Sequence, residues 1–404
     1  MSNSSRHKRL ERYQFPNSRK LWHDRAMHAR SLGCQDCHYR ETCGGLEVEA
    51  AVFDCMSYCQ CTDPSKCDNV CPRNVEHFVG RIQEVGGLDL HTVPFVPDPP
   101  TLDLPTMVPM VYHNSARSRA LDTRFVALSL YEVIDKRTGE LRFGTRQSLF
   151  DHFKLHSESA IILSGTDHDP PLERWWQLPN REIVIRALTT LGVRLITSPN
   201  YSLFDDVPRT DNLYNMKRIA VVTSEIQCEG IPCALHLNAR TDRDWDRWIE
   251  HFGRHTELRY VAFEFGTGAG AATRMPWYVG QLCRLARETG RPLHLLVRGG
   301  LLVLPILSRA FAGVTLIDTA SFIKTQQRQR AVLVEGVLSW QKHPTQPGEP
   351  LDELMDGNIA TVAAYVDAAI AGTVKESQKL VERWQWLSAA DDARDETLQP
   401  HFLT

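Results

Sequence analysis

Long apolar runs are missing from this chain. No stretch reaches the ~18–20 residues that spanning a bilayer requires. The first residues carry no apolar core of the kind a secretory signal uses, so the expectation is a cytoplasmic protein with no membrane partner. An excess of charge of either sign is also missing. A formal net charge of −3 over 404 residues gives the whole molecule no pull toward nucleic acid. No G-x-G-x-x-G follows an early strand, which leaves a Rossmann dinucleotide site without support. What remains is an ordinary globular composition, 42% hydrophobic and 24% charged, long enough for one large domain and an appendage.

Cysteine is where the chain departs from the ordinary. Of 11 cysteines, eight fall in one short stretch: Cys34, Cys37, Cys43, Cys55, Cys59, Cys61, Cys67 and Cys71. Such a segment (32–87) cannot bury eight thiols in a core of its own, so they share a metal, a cluster or disulfides. In a reducing compartment, clustered thiols read as metal ligands. Four thiolates suit an iron–sulfur cluster or tetrahedral zinc, and eight suit two such centres or one with spare thiols. The absence of an ordered C-x2-C…C-x2-C pair weakens a zinc ribbon. The expected cofactor is an iron–sulfur cluster, with zinc as the alternative. Ahead of this segment, residues 1–31 hold eight Lys and Arg against Glu11 and Asp24. They read as a solvated terminus or as an arm able to lie on a phosphate backbone. Behind it, residues 88–122 hold Pro94, Pro97, Pro99, Pro100, Pro105 and Pro109, a stiff linker wrapping onto the next domain.

From 123 to 343 short apolar runs alternate with amphipathic stretches. The runs are 125–134, 160–164, 193–198, 231–239, 258–266, 291–298 and 314–323, and glycines at 192, 230, 290 and 313 stand at the helix-to-strand joints. Seven β-α units predict an α/β fold of the (β/α)8 barrel type, with an eighth strand near 108–112 or missing, and a doubly wound sheet as the alternative. Beyond a polar break, 351–390 reads as two closing helices, 359–371 and 374–387, before an acidic, loose tail at 391–404. Trp175, Trp176, Trp245 and Trp248 read as helix–barrel packing. Cys228, Cys233 and Cys283 read as buried core thiols.

In a parallel barrel, reactive groups gather where the strands end. Asp318 interrupts the apolar run 314–317, and Glu264 sits similarly inside 260–266, so these two carboxylates are the candidate catalytic pair. Salt bridges to Arg240 and Arg298 are their competing explanation. Asn200, Ser202, Asn212, Asn215, Arg218, His236, Asn238, His294 and Arg298 are the candidate substrate-binding residues. Unpaired polar groups inside apolar strands are costly, and a polar ligand is one reason for them. For Asn212 and Asn215, three apart on one helix face, the alternative is hydrogen bonding to loop backbone. Gly266, Gly268 and Gly270 can wrap a phosphate with backbone N–H groups.

Several motifs carry resemblances. Cys34-x2-Cys37-x5-Cys43-Gly44-Gly45 resembles the run that binds auxiliary iron–sulfur clusters in some radical enzymes, and Cys71-Pro72 resembles the end of a bacterial ferredoxin motif. Radical chemistry itself lacks its C-x3-C-x2-C motif after an early strand. Pro199-Asn200-Tyr201-Ser202 with Asn212-x2-Asn215-x2-Arg218 resembles an uncharacterised bacterial and phage family of unknown function. Pro292-Leu293-His294-Leu295-Leu296 with Ile317-Asp318-Thr319-Ala320-Ser321 resembles, more distantly, the late strands of the tRNA-guanine transglycosylase superfamily. That resemblance implies base exchange through an aspartate nucleophile, here Asp318. The reading is a cytoplasmic metal- or cluster-containing barrel acting on a nucleotide, nucleic acid or modified base. The alternative is a non-catalytic nucleic-acid-binding or regulatory component of a phage-related or defence system, with a structural or redox-sensing cluster.

Overall fold

The computed structural model describes residues 84–135, 138–204 and 209–374. The basic arm, all eight clustered cysteines, the tail and the second closing helix beyond Val374 lie outside the described residues.

Eight parallel strands build the core: β1 Met107–Pro109, β2 Phe125–Ser129, β3 Ala160–Ser164, β4 Val193–Thr197, β5 Cys233–His236, β6 Tyr260–Glu264, β7 His294–Arg298 and β8 Gly313–Asp318. They form one sheet in the order β1-β8-β7-β6-β5-β4-β3-β2. A bridge between Met110 and Ala127 joins its two ends, with Val111 N–H donating to Ala127 O at 2.9 Å. The sheet is therefore rolled into a nearly closed (β/α)8-type barrel, and the doubly wound alternative is excluded. The helices are α1 Leu130–Val133, α2 Arg146–Phe153, α3 Asp169–Trp176, α4 Arg181–Thr190, α5 Arg209–Cys228, α6 Asp242–Arg254, α7 Met275–Thr289, α8 Leu304–Ala310, α9 Ala320–Gln326 and α10 Asp352–Ile370. None among the described residues is long and apolar enough to cross a membrane.

Alternation sets the two halves of the core. Ile162, Leu195, Leu296 and Ile317 pack inside the barrel, while their neighbours Ile161, Ile196, Leu295 and Leu316 face the helices. Burial on both faces is why the strands read as unbroken apolar runs. On α6, Thr241 and Asp244 form a capping box, and Trp245, Trp248 and Phe252 fall on one face, fully buried against the strands. Trp175 and Trp176 are buried in the same outer layer, as expected. Gly290 takes a left-handed φ of 62° to end α7. Gly313 does not cap a helix. It opens β8, where a Cβ would stand 2.4 Å from the His294 ring. Cys233 and Cys283 are buried, but Cys228 ends α5 exposed, contrary to expectation.

The proline-rich stretch wraps the barrel, plugs its N-terminal end and then supplies β1. Leu102 and Leu104 pack on the inner cluster, the Leu102 amide donates to Tyr260 Oη at 2.7 Å, and Thr315 Oγ1 donates to Pro105 O at 2.7 Å. Between α9 and α10 stands an antiparallel hairpin, β9 Gln329–Val334 and β10 Val337–Lys342, which falls inside a stretch expected to be barrel. Asn358 of α10 pins it, accepting from Ala331 N–H at 2.7 Å and donating to Gln329 O at 2.9 Å.

Candidate functional site at the barrel mouth

The last inward position of strand after strand is polar. Two residues beyond Ile162, Leu195, Ala234, Ala262 and Leu296 stand Ser164, Thr197, His236, Glu264 and Arg298. The layer beneath them is apolar, and Ala127, Ala234 and Ala262 hold places that branched residues usually take. Five strands thus deliver polar side chains to the C-terminal mouth, the end at which such barrels do chemistry.

His236 is 3% exposed; its ring reaches the Ser198 backbone, which opposes the lowering of its pKa, and among the described residues the other ring nitrogen and Ser164 Oγ have no hydrogen-bond partner. Burial, and secondarily the Arg298 charge, lower the imidazole to about 3. It is therefore neutral at pH 7 and offers one donor and one acceptor. Glu264 Oε1 accepts from the Gly266 amide at 2.6 Å, and Oε2 lies 3.1 Å from Arg298 Nε without hydrogen-bond alignment. Burial raises the Glu264 carboxyl, with Arg298 and the Gly266 amide opposing. The Tyr112 phenol is raised by burial. Arg298 opposes that shift, while Glu264, Asp167 and Asp318 add to it. One guanidinium and three carboxylates thus act on a single hydroxyl.

Asp318 departs from its expected direction. Ile317 fills the inner position, so the next side chain turns toward the helices. The Asp318 carboxylate accepts from the amides of Ala320 at 2.8 Å and Ser321 at 3.2 Å, tying down the first turn of α9. Burial raises it, and these bonds oppose the rise. His294 is also corrected. It opens β7, roughly 13 Å from Arg298 at the other end of the same strand, and its Nε2 meets Thr315 Oγ1 at 2.8 Å in the plugged floor.

The asparagines and Arg218 meet the loop instead. Asn212 makes a two-way bond with the Phe204 backbone at 2.9 and 2.6 Å, and Asn215 Nδ2 donates to Ser202 O at 2.6 Å. Asn238 Nδ2 donates to Asn200 Oδ1 at 3.2 Å and to Tyr201 O at 3.0 Å, and Ser202 Oγ donates to Asp169 at 2.7 Å. Arg218 is buried and forks onto Glu173 at 2.7 and 2.9 Å. Arg240 donates to Leu203 O at 2.7 Å and to Tyr278 Oη at 2.8 Å, so of the two expected salt bridges the structure has the Glu264–Arg298 contact. The glycine loop is not an open cradle. Gly266 N–H is taken by Glu264, and Gly270 N–H by Thr267 O at 3.0 Å. A Cβ on Gly270 would fall 2.0 Å from Phe265 O. Close packing against backbone accounts for Gly270, and the bond to Glu264 for Gly266, without a phosphate.

The candidate residues read from the sequence do not include Tyr112, Ser164 and Thr197, although Ser164 closes the run 160–164. The signal for the last two is their parity with the inward apolar positions. Tyr112 lies at the end of the expected eighth strand near 108–112, inside the stretch otherwise read as linker. A hollow of about 560 Å3 opens to the side, lined by Tyr131, Asp135, Arg174, Trp175 and Leu178; none of the mouth's polar residues lines it. Among the described residues no group of His, Cys, Asp or Glu side chains could hold a metal ion.

The buried rings give a pH expectation. His236 is lowered to about 3 and His294 to about 4, both chiefly by burial. Below pH 6.5 the unfolded chain takes up protons at these rings that the folded chain refuses. Stability therefore falls as pH drops from 6.5 toward 4 and 3, by about 2 kcal/mol per ring between pH 7 and pH 5. Denaturant unfolding at the two pH values checks this. His236→Gln should lose about 2 kcal/mol less than wild type over the interval, and an equal loss in both proteins rejects the assignment.

No protein-family model matches the chain, and no curated protein matches it. Among solved structures it is similar to a crystal structure from Burkholderia cenocepacia J2315 described as a "putative lyase/mutase", at 16% identity over 78% of this chain and 98% of that one, with a TM-score of 0.30.

Proposed function

We propose that the protein is a barrel enzyme that receives a nucleobase, free or within a nucleotide or nucleic acid, at its C-terminal mouth and acts at the glycosidic bond. The observation that carries this reading is the neutral His236, buried beside the Arg298 charge, with one ring nitrogen and the Ser164 hydroxyl left without a hydrogen-bond partner among the described residues. An unpaired buried polar group costs about 1–3 kcal/mol, a cost that a ligand with complementary groups removes. A neutral imidazole and the Ser164 hydroxyl suit the donor and acceptor edge of a heterocycle. Glu264, raised by burial, suits a general acid that protonates the departing base while water, or an incoming base in an exchange, forms the new bond at the sugar C1′. Asp318 holds α9 in this reading and leaves the proton transfer to Glu264. The Arg298 guanidinium already lies against Glu264, and Asp167 acts on the same mouth, so the charge there does not favour a phosphate and the base enters first. The eight N-terminal cysteines belong to the same proposal as ligands of an iron–sulfur cluster or of zinc, and the basic arm as its nucleic-acid contact.

The test is full-length protein, purified without oxygen, assayed for iron, sulfide and zinc, and incubated with bases, nucleosides, nucleotides and short RNA and DNA. The expected results are bound metal, and nucleosides bound as tightly as their nucleotides, with base released or exchanged. Competition by inorganic phosphate, or binding without any turnover, counts against the enzyme reading. Metal-free protein removes the cluster from it.

A further inference from the structure

The chain that leaves the cysteine-rich segment enters the described fold at Glu84, which touches two rings at once. Trp176 Nε1 donates to Glu84 Oε1 at 2.9 Å, and Tyr214 Oη donates to Glu84 Oε2 at 2.6 Å. Those rings and Tyr201 form a box around Arg218, whose guanidinium carbon stands 4.0 Å from the Tyr201 centroid, 4.8 Å from that of Tyr214 and 5.5 Å from that of Trp176. Arg218 holds Asn215 Oδ1, and Asn215 holds Ser202 O. The loop so fixed runs back to the mouth. Asn200 N–H donates to Gly165 O at 3.2 Å, Gly165 N–H to Thr197 Oγ1 at 2.9 Å, and Arg298 Nη1 reaches Thr166 O at 3.5 Å.

We infer that Glu84 is a positioning residue for the mouth: by fixing the rings around Arg218 it sets the loop 199–204 and, through Gly165 and Thr166, the place of Arg298. The geometry is that of a carboxylate with two donors from different helices, α3 and α5. Its loss takes one hydrogen bond from each ring, and the cation–π box around the guanidinium depends on the tilt those bonds help set. The entry point of the N-terminal segment and the barrel mouth are thus joined by a continuous run of side-chain and backbone contacts. The consequence for catalysis rests on the function proposed above; the mechanical link does not.

Hydrogen exchange on the full chain, resolved at the Asn200, Phe204 and Gly165 amides, tests it. Glu84→Ala should speed exchange there about tenfold or more while the amides of β5 to β7 keep their rates. Glu84→Gln, which retains an acceptor for Trp176 Nε1, should recover most of the protection. Asp103→Ala, which breaks only the exposed pair with Arg124 on the same wrapping stretch, should change nothing at the loop. Unchanged loop amides in Glu84→Ala overturn the inference. So does faster exchange spread evenly over the strands, the mark of a merely structural role. If the glycosidic-bond reading fails, no substrate turns over, and this exchange pattern still stands or falls alone.

Discussion

Glu264→Gln is expected to bind a base-bearing ligand within a few-fold of wild type and to turn it over 10²- to 10⁴-fold more slowly, the usual worth of a positioned general acid. The amide keeps the shape of the side chain and an oxygen for the Gly266 N–H, so the β6 turn has no reason to move. It cannot release a proton. Burial raises the wild-type carboxyl above the usual carboxylate range, so the acid form persists to higher pH than for an exposed glutamate. An acid that must be protonated gives a rate that falls as pH rises through its raised pKa. That limb should vanish in Glu264→Gln. Single-turnover rates across pH, beside ligand titrations at one pH, separate the two effects. Equal rates in both proteins remove Glu264 from the chemistry. Lost binding with an unchanged rate constant makes it a substrate contact instead.

The barrel was legible because its strands are buried on both faces. The runs at 160–164 and 193–198 stand within a residue of β3 and β4, and even the doubtful eighth strand is present at Met107–Pro109. Which candidate residues face the mouth was harder to read, because it depends on strand parity. Glu264 and Arg298 close their strands on the inward face. Asp318 closes its strand one residue out of phase with Ile317, and a run of apolar letters does not say which phase faces the axis. His294 misled for a related reason: it opens its strand, and only the direction of the chain separates floor from mouth. Asn212 and Asn215 look like recognition residues because they share a helix face, yet both spend their amides on backbone that carries no signal of its own. The hairpin β9–β10 escaped because it is half-exposed, with Leu333 and Val334 open to solvent. Its Glu335-Gly336 turn, with both residues left-handed, was the available cue.

Arg218→Met should cost about 3 kcal/mol of folding stability, the second large effect, read from denaturant midpoints at neutral pH. The guanidinium side chain is 4% exposed and Glu173 44%. Removing the cation therefore leaves a carboxylate that water can reach, which holds the loss below that of a fully buried pair. What is not recovered is the rest of the fastening. Two charge-assisted bonds to Glu173, the bond to Asn215 and the stacking on Tyr201 all go together, while methionine fills much of the volume. Arg218→Lys separates charge from shape. An ammonium keeps the charge but cannot fork onto a carboxylate or lie flat on a ring, so lysine should restore less than half of the loss. If lysine restores nearly all of it, a point charge suffices and the box is packing around an ordinary ion pair. If methionine itself costs under about 1 kcal/mol, the range of an exposed pair, the loop 199–204 is held by Asn212 and Asn238, and Arg218 contributes little to the shape of the mouth.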